Sequence, residues 1–325
     1  MANDNDPAAQ HLRQVRQIFD RRAATFADVS FLTREIAQRM GERLDYIKME
    51  PARVLDAGCG PGADLLALAA RYPAAEIFGL ELSGRMARLA TARLTDATRQ
   101  AGGALRRWLN AATQVWRPEH EGRIVQADLA DPPFAAGSFD LIWSNCALHW
   151  RAEVEAVFPR WERLLTTKGL LMFSTLGPDS LRELRAAAAS VGALDVRVLD
   201  FVDMHDYGDM LVNGGFDAPV MDMETLTITY QTPASLLADV RRWGAFPAHR
   251  QLAAPSAPLP AIGLAGKREY RALLAALESQ RRADGTLALT FEIIYGHAWK
   301  RESRGGQGEH AIVRPEDIGG RRARR

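Results

Sequence analysis

The nine residues Val54-Leu55-Asp56-Ala57-Gly58-Cys59-Gly60-Pro61-Gly62 restrict this chain more than any other stretch. An apolar run ending in an acid reads as a buried strand, and glycines at alternate positions read as a turn opening into a helix. Glycine tolerates positive φ and lets backbone come close to a ligand. A dinucleotide fingerprint spaces its glycines G-x-G-x-x-G and leaves a helix N-terminus open to a pyrophosphate. Here an acid precedes G-x-G-x-G, which suits a ligand that lacks phosphate and carries a positive centre.

The surrounding pattern alternates. Apolar spacing predicts two helices between His11 and Ile47, broken near Thr25–Ser30, before Pro51 ends the helical region. Strands are expected at Arg53–Asp56, Ala75–Glu81, Ile124–Ala127, Phe139–Asn145 and Gly169–Thr175, and helices at Ala63–Arg71, Gly84–Gln100 and Ala152–Thr166. Such alternation means a mainly parallel α/β sheet covered on both faces, with ligands at the carboxyl ends of its strands. Later segments predict helices from Pro178 to Val191, Met204–Gly214, Leu236–Trp243 and Lys267–Arg282, with strands at Val220–Tyr230 and Thr286–Trp299. The domain plan is N-terminal lid helices over 1–50 and a main domain over 51–300. Within the main domain lie a surface insertion at 96–122, carrying Trp108 and Trp116, and a small helical cap at 231–285 that includes a Pro/Ala-rich linker at 247–260. A basic, flexible tail follows at 301–325.

Composition narrows the function classes. With 47% hydrophobic and 25% charged residues the chain is an ordinary globular one, and 41 basic against 40 acidic side chains leave a net charge of +1. That balance argues against nucleic-acid binding through bulk positive charge. No window approaches the roughly 18 uninterrupted apolar residues of a membrane span, and the N-terminus lacks a secretory pattern. The expected setting is the cytoplasm, with Cys59 and Cys146 as buried structural thiols. His205 with Asp203 and Asp206 lacks zinc-site spacing and reads as a helix cap, so no metal is expected.

Two more acids end successive strands: Glu81, placed to accept both hydroxyls of a ribose, and Asp128, placed to accept from an adenine amino group. Taken singly, these motifs have ordinary readings as a tight turn, a solvated strand end and a helix cap. Their order along the chain makes them a constellation. Residues 53–175 resemble the class I S-adenosylmethionine-dependent methyltransferases, through Asp56/Gly58/Gly60/Gly62, Glu81, Asp128-Leu129 and Phe139-Asp140-Leu141-Ile142. The resemblance implies a Rossmann-like seven-stranded sheet whose last strand is antiparallel. It assigns Gly58–Gly62 to the methionine part of S-adenosyl-L-methionine, Glu81 to its ribose and Asp128 to its adenine, with Asp56, Leu82, Leu129 and Asn145 in the same cofactor set.

The acceptor must be read elsewhere. The blocks Ile18-Phe19-Asp20-Arg21-Arg22-Ala23-Ala24, Trp143-Ser144-Asn145-Cys146-Ala147-Leu148-His149-Trp150, Ser174-Thr175-Leu176-Gly177-Pro178-Asp179 and Asp203-Met204-His205-Asp206 are similar to those of the malonyl-acyl-carrier-protein O-methyltransferases of biotin synthesis. Two departures stand out: Phe26 occupies a position that is usually tyrosine, and His149 one that is usually glutamine. The resemblance implies an acyl carrier protein bearing a malonyl thioester as partner, with neither nucleic acid nor membrane involved. A malonyl carboxylate needs a cation, best an arginine fork. Arg182 and Arg185 are the first candidates and Arg22 the third, with His149 and Trp150 as walls of the acceptor site. An acidic carrier could dock on Arg241, Arg242, Arg250, Lys267, Arg268, Arg271, Arg281 and Arg282. The competing readings are methylation of another small carboxylate, and a hydroxylase-like or assembly factor that binds the cofactor without methyl transfer.

Overall fold

Strand β1 (Arg53–Ala57) is flanked by β2 (Glu76–Glu81) and β4 (Phe139–Asn145), and β2 is followed outward by β3 (Ile124–Gln126). On the other side β4 pairs with β5 (Leu165–Leu176). The last strand, β7 (Leu287–Lys300), inserts antiparallel between β5 and the edge strand β6 (Phe216–Tyr230). The result is one seven-stranded sheet in the order β3-β2-β1-β4-β5-β7-β6, parallel except at β7. This computed structural model describes residues 7–109, 123–192, 200–243 and 264–301, without the side chains of 98–109 and 264–266. The expected tail from residue 302 on, the 247–260 linker, Arg250 and residues 110–122 of the expected insertion lie outside the described residues.

Both faces of the central strands β1, β4, β5 and β7 are covered, as near-continuous apolar strands require, while the edge strand β6 stays largely exposed or half-buried. One layer packs Ile36 and Met40 of α2 (Phe31–Leu44), Leu65 and Leu68 of α3 (Ala63–Arg71) and Ala90 of α4 (Gly84–Leu109) against β1, β2 and β4. The opposite layer packs Phe158 and Trp161 of α5 (Val157–Leu164) and Leu211 of α7 (Met204–Asn213) against Leu55, Ile142 and Phe173. Three further helices cover the β5–β7–β6 end: α6 (Arg182–Ser190), α8 (Pro233–Trp243) and α9 (Leu264–Glu278). The N-terminal α1 (Pro7–Arg22) joins α2 through a 3₁₀ turn at Phe26–Val29, so the expected break falls where the sequence put it.

Several expected boundaries move: α6 starts at Arg182 instead of Pro178, β5 at Leu165 instead of Gly169, β6 at Phe216 instead of Val220, and α9 ends at Glu278 instead of Arg282. Helix α4 runs on to Leu109, so part of the expected 96–122 insertion is helix; no proline interrupts it after Gly84 until Pro118. The helix expected from Ala152 starts only at Val157, after 3₁₀ turns at Leu148–Trp150 and Val154–Ala156. Pro159 explains the late start: it is tolerated in a first turn but would clash with a carbonyl four residues back inside a longer helix. Among the described residues no helix is long and apolar enough to cross a membrane.

Candidate active site

The carboxyl ends of β1, β2, β4 and β5 open into one cavity roofed by α1 and the turn after it. Asp20 of α1 fixes that roof to the start of α4: its carboxylate accepts from Ser83 Oγ at 2.6 Å and from the Arg85 amide at 3.1 Å. Asp56, Gly58, Gly60, Glu81, Leu82, Asp128, Leu129 and Asn145 all line the cavity, as the expected cofactor set requires. Gly62 does not. Its φ of 83° carries the chain into α3, and a Cβ there would lie 2.9 Å from Ala90 Cα, so its role is close packing of α3 on α4. Gly60 is the reverse case: φ is 52° and a Cβ would point into open space, which leaves room for a ligand against the backbone.

The charges at this end are unbalanced. Asp56 is 1% exposed and its Oδ2 has no hydrogen-bond partner. Burial, then the charges of Asp64 and Glu81, push its carboxyl well above the usual range. Glu81 accepts from the Gly60 amide at 2.9 Å and the Ser83 amide at 2.8 Å, yet burial still pushes it up to about 7. Asp64 accepts from Trp143 Nε1 and Asn145 Nδ2, both at 3.0 Å, and is also raised by burial. Among the described residues no side-chain cation pairs with any of the three. Buried carboxylates normally have a partner, and a ligand carrying a sulfonium and an ammonium supplies what is missing here. The donor set therefore fits S-adenosyl-L-methionine: the carboxylate cluster for its positive centres, and Glu81, which retains free acceptor capacity, for its ribose hydroxyls.

The other end of the cavity is aromatic and apolar, walled by Phe19, Phe26, Leu181, Phe201, Trp243 and Phe291. Phe26 packs edge-on to Phe19 with ring centroids 6.2 Å apart, so carbon stands where the related pattern has a phenol. His149 and Trp150 line the same chamber, as expected of walls. Burial holds the His149 imidazole down at about 3, so it is neutral at physiological pH; its Nδ1 lies 3.4 Å from Thr175 Oγ1 and its ring contacts Trp150 and Phe201. Two non-glycine residues with left-handed backbone, Cys146 (φ 53°) and Leu181 (φ 61°), border this end. Such conformations persist where the surroundings impose them, often at functional sites.

The three candidate arginines separate. Arg182 does not reach the cavity wall: its side chain is 59% exposed and pairs with Asp179 and Glu183. It lies on the solvent side because α6 buries Leu184, Ala187 and Ala188, and residue 182 falls about 200° around the helix from Leu184. Arg185 is half-buried, donates to the carbonyls of Pro178 (2.6 Å) and Ser180 (2.7 Å), and stacks 5.3 Å from the Phe201 ring. It holds the loop beneath the chamber. Arg22 is also half-buried, and its Nη1 is buried without a hydrogen-bond partner. In sequence it sits between Phe19 and Phe26, which line the chamber, but neither Arg22 nor Arg185 is itself among the lining residues.

Sequence reasoning missed two cavity residues. Asp64 reads as an ordinary first-turn acid of a helix, and its partners Trp143 and Asn145 are 79 and 81 positions away. Its signal was an acid two places beyond the last glycine of the turn. Arg151 follows the Leu-His-Trp turn and donates through Nη1 to Asp128 Oδ2 at 2.8 Å, a pairing 23 residues long that no local pattern announces. Asn145 proves to be a tie: Nδ2 donates to the Thr33 carbonyl (2.9 Å) as well as to Asp64, and Oδ1 accepts from Ser174 Oγ (2.7 Å). It thus joins α2, the carboxylate cluster and β5.

Comparison with known proteins agrees with this geometry. Residues 55–173 match the family described as methyltransferase domain. A malonyl-[acyl-carrier protein] O-methyltransferase of Gallionella capsiferriformans (strain ES-2) is 41% identical over 302 residues, covering 93% of this chain and 95% of that protein. Another of the same name, from Laribacter hongkongensis (strain HLHK9), is 41% identical over 292 residues, covering 90% of each. Among solved structures, the YcgJ protein of Bacillus subtilis is similar in fold, with a TM-score of 0.50 and 18% identity across 81% of this chain and 98% of that one.

Proposed function

The chain belongs to the malonyl-[acyl-carrier protein] O-methyltransferases, and from that premise we propose that it esterifies the free carboxylate of a malonyl thioester for biotin synthesis. S-adenosyl-L-methionine is the cofactor, and when bound it supplies an electrophilic methyl on a sulfonium with a neutral thioether as leaving group. The observation that carries the reading is the division of the cavity into an anionic end and an aromatic end whose one histidine is uncharged. A carboxylate is already a competent nucleophile, so no general base is required. What the chamber contributes is position and dehydration: aromatic walls strip water from the attacking oxygen and hold it in line with the methyl. His149 and Trp150 shape that wall, and the lid helices close it from above.

For the acceptor carboxylate we assign Arg22, whose buried, unsatisfied Nη1 is a donor in want of an anion. Arg185 positions the loop that carries Leu181. The acidic carrier docks on the exposed α8–α9 face, where Arg242, Lys267, Arg268 and Arg271 reach solvent and Arg241 stacks on Tyr270 at 5.0 Å. Trp243, at the end of α8, lines the cavity, so this face adjoins the chamber that the pantetheine arm must enter. Arg281 is already engaged by Glu278 and by the carbonyls of Gly285 and Gln231.

The test is a comparison of acceptors. Malonyl-carrier protein should be methylated with a kcat/KM at least about 100-fold above that of free malonate, because remote contacts with the carrier and its arm position the reacting group. Comparable values for the two would transfer the assignment to a small-carboxylate methyltransferase.

A further inference from the structure

Behind the aromatic wall of the chamber, three polar groups have only one another as partners. Tyr207 of α7 and Thr175 of β5 are both fully buried. The Tyr207 hydroxyl lies 3.3 Å from Thr175 Oγ1, which lies 3.4 Å from His149 Nδ1. Phe158 and Phe173 pack against the Tyr207 ring, and burial pushes its hydroxyl up to about 12, so the phenol keeps its proton. Among the described residues neither hydroxyl has a further side-chain partner.

That chain is satisfied in only one direction. Were Nδ1 the protonated nitrogen, either the Tyr207 or the Thr175 hydroxyl would hold a proton with no acceptor, and a buried donor left open costs stability. In the other direction Tyr207 donates to Thr175 and Thr175 donates to Nδ1, so both protons are used. An uncharged imidazole that accepts at Nδ1 carries its own proton on Nε2. Among the described residues Nε2 has no hydrogen-bond partner, and it is not one of the side-chain atoms sealed off without one. On this half-buried wall residue it therefore stays open to the chamber.

We propose that His149 binds the acyl acceptor, its Nε2–H donating to the carboxylate oxygen that does not attack, with Thr175 and Tyr207 as positioning residues that fix the tautomer. The ligand rests on the carboxylate acceptor inferred above; the tautomer does not. A carboxylate offers only lone pairs, so an N–H attracts it where a bare ring nitrogen would repel it. Methylation of a carboxylate moves no proton, and the oxygen held by the N–H becomes the ester carbonyl and still accepts. A hydroxyl or amine acceptor has a proton to lose, and a histidine already protonated at Nε2 cannot take it.

The test reads the ring first and the acceptor second. In full-length protein with isotope-labelled histidine, the ring-nitrogen resonances that vanish in His149→Gln belong to residue 149. They should show a protonated Nε2 and a bare Nδ1, unchanged between pH 6 and 8. A protonated Nδ1 overturns the proposal, as does a ring that titrates in that range. His149→Phe keeps a flat ring in the wall and loses the N–H. It should lower kcat/KM for malonyl-carrier protein by about tenfold or more, the scale of one lost hydrogen bond to a charged group, while the dissociation constant of S-adenosylhomocysteine changes by less than about threefold. His149→Gln, which restores an N–H, should recover most of that loss. Equal losses in the two variants would make His149 a wall alone and overturn the proposal. Thr175→Val should lower kcat/KM by about threefold or more in the wild type and no further in His149→Phe, since its hydroxyl acts only through the ring. An equal loss in both backgrounds would overturn the relay. If His149→Phe proves unstable, His149→Met, which also lacks an N–H, takes its place. A wild type that leaves malonyl-carrier protein unmethylated would end the carboxylate reading, and the ring resonances would still decide the tautomer.

Discussion

Asp56→Asn should make the ligand-free protein more stable while removing most of its affinity for the cofactor. The side chain is almost fully buried, its Oδ2 has no donor, and burial together with Asp64 and Glu81 raises its carboxyl well above the usual range. An amide of the same shape relieves about 1–3 kcal/mol of that penalty, and each kcal/mol gained raises the melting temperature of a domain this size by about 2–4 °C. Binding moves the other way, because the cluster loses a charge that faces the sulfonium and ammonium; a loss of about 100-fold corresponds to roughly 2.7 kcal/mol.

The same account fixes a pH dependence. A carboxyl raised in the folded state binds a proton that the unfolded chain has released, so the folded state is penalised above the unfolded value and the penalty fades as pH falls through the raised one. For Glu81 that window runs from the ordinary 4.5 to about 7. Lowering pH from 8 to 6 should therefore raise ligand-free stability and weaken cofactor binding. A variant that melts lower and binds normally would contradict the role given to Asp56.

Arg22→Ala should lower kcat/KM for the malonyl acceptor by about 100-fold, since it removes a partly desolvated carboxylate's charged partner. The dissociation constant of S-adenosylhomocysteine should change by less than about threefold, a free-energy effect under 0.7 kcal/mol. Arg182→Ala, on the solvent face of α6, is the control and should leave both values near wild type, as exposed ion pairs contribute little. Collapse of cofactor binding in Arg22→Ala would instead give that guanidinium to the carboxylate of the cofactor's own methionine.

Much of the fold and half of the site could be read from the sequence for one physical reason: those features are local. Alternating apolar runs define β1 to β5, and the glycine turn and the acids Glu81 and Asp128 follow their strands directly. Positive φ at Gly58 and Gly60 favours glycine, and at Gly58 a Cβ would also collide with Ala147 Cβ, so the spacing of the letters carries the geometry. Gly62 shows the limit, since the same conformation serves helix packing instead of ligand contact.

What was not legible is long-range. Arg182 and Arg185 are equivalent as letters, and only the helical phase set by Leu184 and Ala187 sends one to solvent and the other to the loop beneath Phe201. That phase was available in the sequence. The Asp128–Arg151 pair and the ties made by Asn145 were not, because each depends on how separate strand ends meet. The late start of α5 was visible in Pro159, whereas the run of α4 to Leu109 was not, because it passes through Gly102-Gly103, a pair that reads as a turn.

The most direct measurement is the intact mass of malonyl-carrier protein after incubation with the enzyme and S-adenosyl-L-methionine, beside acetyl-carrier protein, which differs by lacking the free carboxylate. The account predicts a gain of one methyl group on the malonyl carrier and none on the acetyl carrier. Methylation of both, or of neither while the cofactor binds, would contradict it.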